Sequence, residues 1–196
     1  MNLLQKQQLL LSKFYESARV IDQQKGYIDL PWINQVIDPL YLGYAADIIA
    51  EKFKDCHIDK VVGIPTMGTI LAVSVAERLN KPLAPGRKGP EPKAWKQIIK
   101  TDKPINSFST GEPSYLTFNG ISASETILLI DDFIAQGETL EPIIKKLIKH
   151  KCTVCVAVYC AKLFQPGFLK ITQLGIEPFF VYGIREITPE GQLILV

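Results

Sequence analysis

Residues 125–140 read ETILLIDDFIAQGETL and contain an apolar run, two adjacent acids, a loop with small residues and a helix start. The run 126–130 has the length and the β-branched content of a strand that is covered on both faces in a parallel sheet. Asp131 and Asp132 follow it, at what we predict to be the carboxyl end of the strand. Ligands of open α/β sheets bind beyond the carboxyl ends of strands, so this stretch predicts a ligand site.

The loop after the acids consists of Ala135, Gln136, Gly137, Glu138 and Thr139, and we predict a helix over 139–150. A helix N-terminus has N–H groups without partners and a partial positive charge, and small side chains let a phosphate approach them. Carboxylates accept hydrogen bonds from hydroxyl groups but repel a phosphate beside them. The order of acids and loop therefore favours a ligand such as ribose 5-phosphate. A solvated acidic pair, or a pair that holds a metal ion, is the alternative.

Helix and strand signals alternate along the rest of the chain, which predicts an α/β fold with a doubly wound, mostly parallel sheet. Asp38 before Pro39 marks a helix start, as an N-cap followed by proline at the first helical position. The other predicted segments are an N-terminal helix over 1–24, strand 60–64, helix 69–79, strand 81–84, strand 153–161, helix 167–174 and strand 178–182.

A chain of 196 residues with 47% hydrophobic content buries a substantial core, and we predict one domain over 1–196. The net charge of +2 gives no reason to expect nucleic-acid or membrane binding. Glutamine, lysine and serine interrupt the apolar positions of the N-terminal segment at helical spacing, unlike a signal peptide or a spanning helix. We therefore expect a cytoplasmic protein.

Neither the cysteines nor the histidines suggest a catalytic or metal site. The C-x-x-C of Cys152 and Cys155 lies at a predicted strand, where its odd spacing sends the two side chains to opposite faces, and no second ligand pair exists. His57 and His150 lack an obvious nucleophile partner, which argues against a catalytic triad.

Residues 85–120 interrupt the alternation with a segment rich in proline, glycine, serine and lysine. A segment of this length without strong periodicity is usually a functional flap, although a disordered surface insertion is the alternative. We refer to 85–120 as the flap and predict a hairpin within it, with strands at 105–108 and 115–118.

A second strand-to-helix junction, VVGIPTMGTILAV at 61–73, places Thr66, Met67 and Gly68 between a strand and a helix. Gly68 permits close approach of a ligand, and threonine can donate to an anion. Arg87 and Lys88 follow the next predicted strand, at the entrance to the flap. These two cations either face an anion at the same sheet edge or are solvated.

Residues 127–139 resemble the signature with which type I phosphoribosyltransferases bind 5-phosphoribosyl 1-diphosphate (PRPP): an apolar strand, two acids, three variable residues and a short loop that ends in glycine and a hydroxyl residue. The resemblance implies their α/β fold, with a flexible flap and a small hood. It also implies Mg²⁺ as cofactor and a homodimer. Gln136 departs from the signature, since many members carry threonine there.

The resemblance also implies roles for the residues. Asp131 and Asp132 would contact the ribose hydroxyls as catalytic residues and reach the metal mainly through PRPP. The loop 135–139 would hold the 5-phosphate. The residues that would meet the diphosphate are Thr66, Met67, Gly68, Arg87 and Lys88.

Three strings resemble the bacterial xanthine phosphoribosyltransferases within this family: WINQVIDPLY at 32–41, LLIDDFIAQG at 128–137 and AKLFQPG at 161–167. The resemblance implies that Asn34 and Lys162 contact a purine. Lysine only donates hydrogen bonds, which suits the oxygen at C6 of an oxopurine but not the amino group of adenine. Judged alone, Asn34 is equally an ordinary turn residue and Lys162 a strand-end lysine. Phe133 either stacks on the base or faces the core.

These observations predict transfer of the 5-phosphoribosyl group from PRPP to a 6-oxopurine in purine salvage, with xanthine favoured. An enzyme for adenine or orotate is one alternative. The other is a regulator that binds PRPP without catalysis, but the N-terminal segment is too short for a typical winged helix and has no strong basic stripe.

Overall fold

The computed structural model describes residues 1–89, 94, 98–106 and 113–196, and confirms a mostly parallel α/β fold. Its helices are α1 Leu3–Ser17, α2 Pro31–Asn34, α3 Pro39–Phe53, α4 Met67–Leu79, α5 Leu140–Lys149 and α6 Gly167–Thr172. Its strands are β1 Arg19–Asp22, β2 Tyr27–Asp29, β3 Lys60–Gly63, β4 Leu83–Pro85, β5 Arg87–Lys88, β6 Ile98–Lys100, β7 Ile105–Asn106, β8 Pro113–Ser114, β9 Leu116–Asn119, β10 Thr126–Ile134, β11 Thr153–Lys162, β12 Phe179–Ile187 and β13 Leu193–Leu195.

The central sheet has the strand order β13-β12-β11-β10-β3-β4. Every neighbouring pair is parallel except β12 and β13, which are antiparallel. Leu128 and Ile130 of β10 pack in one core cluster with helices α1, α3 and α4, whereas Ile127 and Leu129 pack in a second with α5 and α6. Successive side chains of a strand point to opposite faces, so a continuous apolar run was required to build both cores.

The hood is the antiparallel β1–β2 hairpin, and it replaces part of a predicted helix. Helix α1 was predicted over 1–24 but ends at Ser17, and the next residue, Ala18, is extended. Gly26 supplies a positive φ of 63° at the turn, and the Asp22 carboxylate accepts a hydrogen bond from the Lys25 N–H at 3.0 Å. A glycine turn with a local carboxylate cap overrides helical continuation here.

Helix α3 starts where the sequence predicts. Asp38 is its N-cap and accepts a hydrogen bond from the Leu40 N–H at 3.0 Å, and Pro39 occupies the first turn. The other predicted helices and strands of the sheet lie within a few residues of their predicted bounds, but β12 extends to Ile187 and pairs with an additional strand, β13. Among the described residues, no helix combines the length and the apolar character needed to cross a membrane.

Strand β10 is longer than predicted. It was expected to end at Ile130, but pairing with β11 continues through Ile134. Pairing with β3 stops at Ile130 and Gly63. Asp131 and Asp132 therefore lie within the strand, in the part where its β3 side has no partner strand.

The described part of the flap contains strands, with pairing different from that predicted. Strand β9 pairs with β5 and β6 in a three-stranded antiparallel sheet, while the short strand β7 pairs with β8. The predicted hairpin is thus wrong in its second strand, because residues 105–106 pair with 113–114 and not with 115–118. Residues 107 and 108 lie outside the described residues. Leu116 and Phe118 are buried in the second core cluster, which fixes β9 against the domain rather than against β7.

Gly63 provides a test of the close packing between β3 and α4. A methyl group added there would lie 2.6 Å from the Thr69 Cα and 2.9 Å from the Ala72 Cβ. We expect Gly63→Ala to lower the free energy of unfolding by roughly 1–3 kcal/mol in urea denaturation. Gly43→Ala is the matched control, because its nearest contact at 3.2 Å is the end of the Arg78 side chain and its helix gains propensity. Equal midpoints for Gly63→Ala and wild type would contradict this packing.

Candidate active site

A cleft of about 920 Å³ lies at the carboxyl edge of the sheet, between the hood, the flap and the two predicted strand-to-helix junctions. All the site residues predicted from the sequence line this cleft except Gly68 and Arg87. The sequence therefore located most of one continuous site from segments that are far apart in the chain.

The acidic pair lines the cleft, and its two members differ in environment. Asp131 is only 7% exposed, while Asp132 is half-buried. Burial and the negative charge of Asp132 raise the pKa of Asp131 well above its ordinary value, and the charge of Lys88 offsets this rise only in part. The Asp132 N–H donates a hydrogen bond to Asp131 Oδ1 at 2.9 Å. A cationic group at this position would be stabilised by both carboxylates.

The loop between β10 and α5 presents backbone donors. Within the part of the chain that the structure describes, the backbone N–H groups of Gln136, Gly137, Glu138 and Thr139 have no protein acceptor. Thr139 is the N-cap of α5, but its side chain makes no capping hydrogen bond. Gly137 has a φ of 79°, which a residue with a side chain adopts rarely. Four successive donors and a helix N-terminus suit a phosphate.

The junction between β3 and α4 forms the adjacent wall. Thr66 and Met67 line the cleft, and the Pro65–Thr66 peptide bond is cis. Gly68 was predicted to contact a ligand, but it lies behind this wall and is buried. A methyl group at Gly68 would be 2.7 Å from the Asp131 Cα, so its lack of a side chain lets α4 pack directly on the acidic strand.

Arg87 and Lys88 form the short strand β5 of the flap, and both are exposed. Lys88 lines the cleft, whereas Arg87 does not. Adjacent side chains of a strand point to opposite sides, so only one of two neighbouring cations faces the site. Lys88 is the one whose charge reaches Asp131.

Asn34, Phe133 and Lys162 also line the cleft. Lys162 is only 3% exposed, and burial lowers the pKa of its ammonium group. Its Nζ donates to the Gly26 carbonyl at 2.8 Å and lies 5.1 Å from the centre of the Phe133 ring. Phe133 both lines the cleft and packs on the first core cluster, so the stacking and core alternatives are compatible.

Asp29 is a lining residue that the sequence reasoning missed. It is 8% exposed and accepts hydrogen bonds from the side-chain amides of Gln35 at 2.7 Å and Asn34 at 3.4 Å. A carboxylate only accepts, so it turns both amide nitrogens toward itself and their carbonyl oxygens away. The available signal was a carboxylate five residues before Asn34, but the one-turn helix α2 that joins them was not predicted.

The two carboxylates suit a metal ion that is bound mainly by the phosphate groups of a ligand. Among the described residues, no cluster of three or more His, Cys, Asp or Glu side chains is placed to hold a metal ion. Mg²⁺ usually keeps several waters and binds through one or two carboxylates together with substrate phosphates. Asp131 and Asp132 fit that arrangement when a diphosphate supplies the remaining oxygens.

Comparison with known proteins agrees with the resemblance of the three strings. Residues 39–168 match the profile of the family described as phosphoribosyl transferase domain. The xanthine phosphoribosyltransferase of Agathobacter rectalis is 33% identical over 159 residues, which cover 80% of this chain and 80% of that protein. The xanthine phosphoribosyltransferase of Finegoldia magna is 31% identical over 164 residues, 82% of this chain and 85% of that protein.

Solved structures share the fold at lower identity. The adenine phosphoribosyltransferase of Giardia lamblia, complexed with 9-deazaadenine, superposes with a TM-score of 0.71 at 21% identity and covers 93% of this chain and 98% of that one. The adenine phosphoribosyltransferase of Trypanosoma brucei, in complex with AMP, pyrophosphate and ribose-5-phosphate, gives a TM-score of 0.68 at 19% identity over 87% of this chain and 79% of that one. The family match runs from the start of α3 into α6 and includes both acids and both loops of the cleft, so this chain belongs to the phosphoribosyltransferase family.

Proposed function

We propose that this protein transfers the 5-phosphoribosyl group of PRPP to a 6-oxopurine base in purine salvage, with xanthine as the favoured base. The observation that supports this most is the combination of groups that line one cleft. These are a loop with four successive backbone donors, two carboxylates and a buried lysine. They suit the phosphate, the ribose and the base of a nucleotide.

The sugar phosphate would be held by the loop 136–139 and by the two carboxylates. The N–H groups of 136–139, together with the N-terminus of α5, bind the 5-phosphate. The carboxylates accept hydrogen bonds from the ribose hydroxyls and stabilise the positive charge that develops on the ribose as diphosphate leaves. Because Asp132 and burial both disfavour ionised Asp131 in the free protein, a cationic transition state relieves a repulsion that is already present.

The diphosphate would lie against Thr66 and Met67, with Lys88 opposite. Lys88 offsets negative charge on the leaving group, and Gly68 contributes by its close packing. Arg87 does not line this cleft, so it would contact the diphosphate only if the flap moves or if it reaches the cleft of a second subunit. Mg²⁺ would neutralise the diphosphate and reach Asp131 and Asp132 mainly through PRPP.

A homodimer is part of this proposal, and a fully active monomer in light scattering would contradict it.

The base would bind between Phe133 and the hood. Lys162 donates to the oxygen at C6, and Phe133 stacks on the ring. Asp29 holds the nitrogen of the Asn34 amide, which leaves the amide oxygen to accept from an N–H of the base. Such an acceptor favours bases with an N–H beside C2, which every 6-oxopurine has at N1 and neutral adenine lacks. Xanthine adds an N–H at N3, and guanine adds the amino group at C2.

The named relatives support the choice of a purine, since two proteins above 30% identity are xanthine phosphoribosyltransferases. The adenine enzymes among the solved structures are below 25% identical and support the fold alone. Transfer to adenine or orotate, and a regulator that binds PRPP without catalysis, remain the competing functions. Each predicts a different product pattern.

The decisive experiment incubates the protein with PRPP, Mg²⁺ and one of xanthine, guanine, hypoxanthine, adenine or orotate, and detects nucleotide and diphosphate. We expect nucleotide from oxopurines. Product from adenine or orotate alone would overturn the role of Lys162. PRPP binding without product from any base would favour the regulator.

Asp131→Asn combined with Asp132→Asn is the test of the acidic pair. We expect nucleotide formation to fall by roughly 100- to 1,000-fold, because the variant lacks the charges that stabilise the transition state. Steady-state kinetics with saturating base measure the change. Asp55→Asn, at an exposed position outside the cleft lining, is the control and should retain full activity. Turnover by the double variant equal to wild type would refute the assignment.

Asp131→Asn alone tests whether the buried carboxylate lowers the stability of the free protein. The folded state raises the pKa of Asp131 above its ordinary value of 3.8, so wild type loses stability as pH rises from about 4 through the raised pKa. Asparagine keeps the acceptor oxygen for the Asp132 N–H and does not ionise. In urea unfolding of the ligand-free proteins, the two free energies of unfolding should be similar near pH 4, and the variant should be the more stable protein at pH 8. A variant less stable than wild type at pH 8 would contradict this.

Lys162→Met tests recognition of the base. Loss of a charge-assisted hydrogen bond costs about 1.5–3 kcal/mol, so we expect the KM of the base to rise roughly 10- to 100-fold. The KM of PRPP should change less, because Lys162 is assigned to the base and is not part of the phosphate loop. The neighbouring Lys25→Met, at an exposed side chain, is the control. An unchanged KM for every oxopurine would rule out Lys162 as a base contact.

A further inference from the structure

Three consecutive carbonyl groups of the phosphate loop are held from outside the cleft. The Ala135 carbonyl accepts from the Gly167 N–H at 2.9 Å, and the Gly137 carbonyl accepts from the Glu141 N–H at 3.0 Å. Between them, the Gln136 carbonyl accepts from Lys170 Nζ at 3.0 Å. Two of these donors are backbone groups, and Lys170 is the one side chain among the three.

These three bonds determine where the loop donors point. The C=O and N–H groups of a planar trans peptide point in opposite directions. A carbonyl that faces α6 or the first turn of α5 therefore directs the next N–H away from those helices. The N–H groups of Gln136, Gly137 and Glu138 are the ones so directed, and they belong to the set without a protein acceptor.

The start of α6 lies directly against the loop. A methyl group at Gly167 would be 2.3 Å from the Ala135 oxygen and 2.6 Å from the Gly137 nitrogen. A methyl group at Gly137 would be 3.4 Å from the Lys170 Cδ. The lysine stem therefore packs along the loop, and its ammonium group is half-buried behind the peptide between Gln136 and Gly137.

We propose that Lys170 is a positioning residue for the 5-phosphate, an inference that rests on the proposed function. It fixes the peptide between Gln136 and Gly137 and polarises it, so that the Gly137 N–H becomes a stronger donor. Its charge also adds to the positive potential of the cradle. This matters in a chain with Gln136, because the hydroxyl group that many members of the family have at this position is absent.

Lys170→Met keeps most of the stem and removes the charge and the donor. Loss of a hydrogen bond from a charged group predicts a rise of roughly tenfold in the KM of PRPP and in the inhibition constant of ribose 5-phosphate. The inhibition constant of diphosphate and the KM of the base should stay within about twofold of wild type, because neither ligand touches this loop. Lys170→Arg retains a cation and should restore most of the affinity. Lys149→Met, at an exposed lysine of α5, should behave as wild type.

Two results would overturn the proposal. One is an unchanged KM for PRPP in Lys170→Met. The other is an equal loss of affinity for PRPP, diphosphate and base together with a lower melting temperature, which would make Lys170 a general structural support. Direct binding of ribose 5-phosphate, measured by calorimetry on wild type and variant, separates this proposal from the proposed function. If no base gives nucleotide, a tenfold weaker binding of ribose 5-phosphate by Lys170→Met still supports the positioning role of Lys170. If wild type does not bind ribose 5-phosphate, that role is refuted.

Discussion

The cleft depends on the point at which β10 loses one of its two partner strands. Pairing with β3 ends at Ile130 and Gly63, while pairing with β11 continues through Ile134. Asp131 and Asp132 are thus held by a strand that is rigid on one side and open on the other. Beyond Gly63 the chain of β3 turns into the junction with Thr66 and Met67, which forms the adjacent wall. The cleft lies where these two strands separate.

The charged side chains of the cleft suit the ligand that we propose, which carries phosphate groups and develops positive charge on its ribose. Asp131 and Asp132 repel each other, and the more buried Asp131 has a raised pKa. Lys88 and Lys162 also line the cleft, and we assign them to the diphosphate and to the base. Burial of ionised Asp131 costs free energy in the free protein. We propose that the carboxylate stabilises the complex when the ribose develops positive charge. Stability and activity are therefore expected to oppose each other at Asp131.

Local signals in the sequence predicted most of the sheet, because a buried parallel strand must be apolar throughout and a helix start needs a cap. The strand before Asp131 and the helix start at Asp38 are examples. Predictions failed where distant segments decide the outcome. Strand β10 extends past Ile130 because β11 continues to pair with it, and the flap strands pair as they do because Leu116 enters the core. Helix α1 ends at Ser17 because the hood hairpin forms next to it.

The sequence by itself determined the family and located the acidic pair, the loop 135–139 and the candidate base residues Asn34 and Lys162, because these signals are carried by residue types at short, fixed spacing. Only the tertiary structure decided that Gly68 supports the acidic strand from behind and that Lys88, not Arg87, faces the cleft. It also brought Asp29 to the Asn34 amide and Lys170 to the Gln136 carbonyl. Such contacts depend on the direction of a side chain and on the packing of elements that are distant in the chain, and no local pattern encodes either.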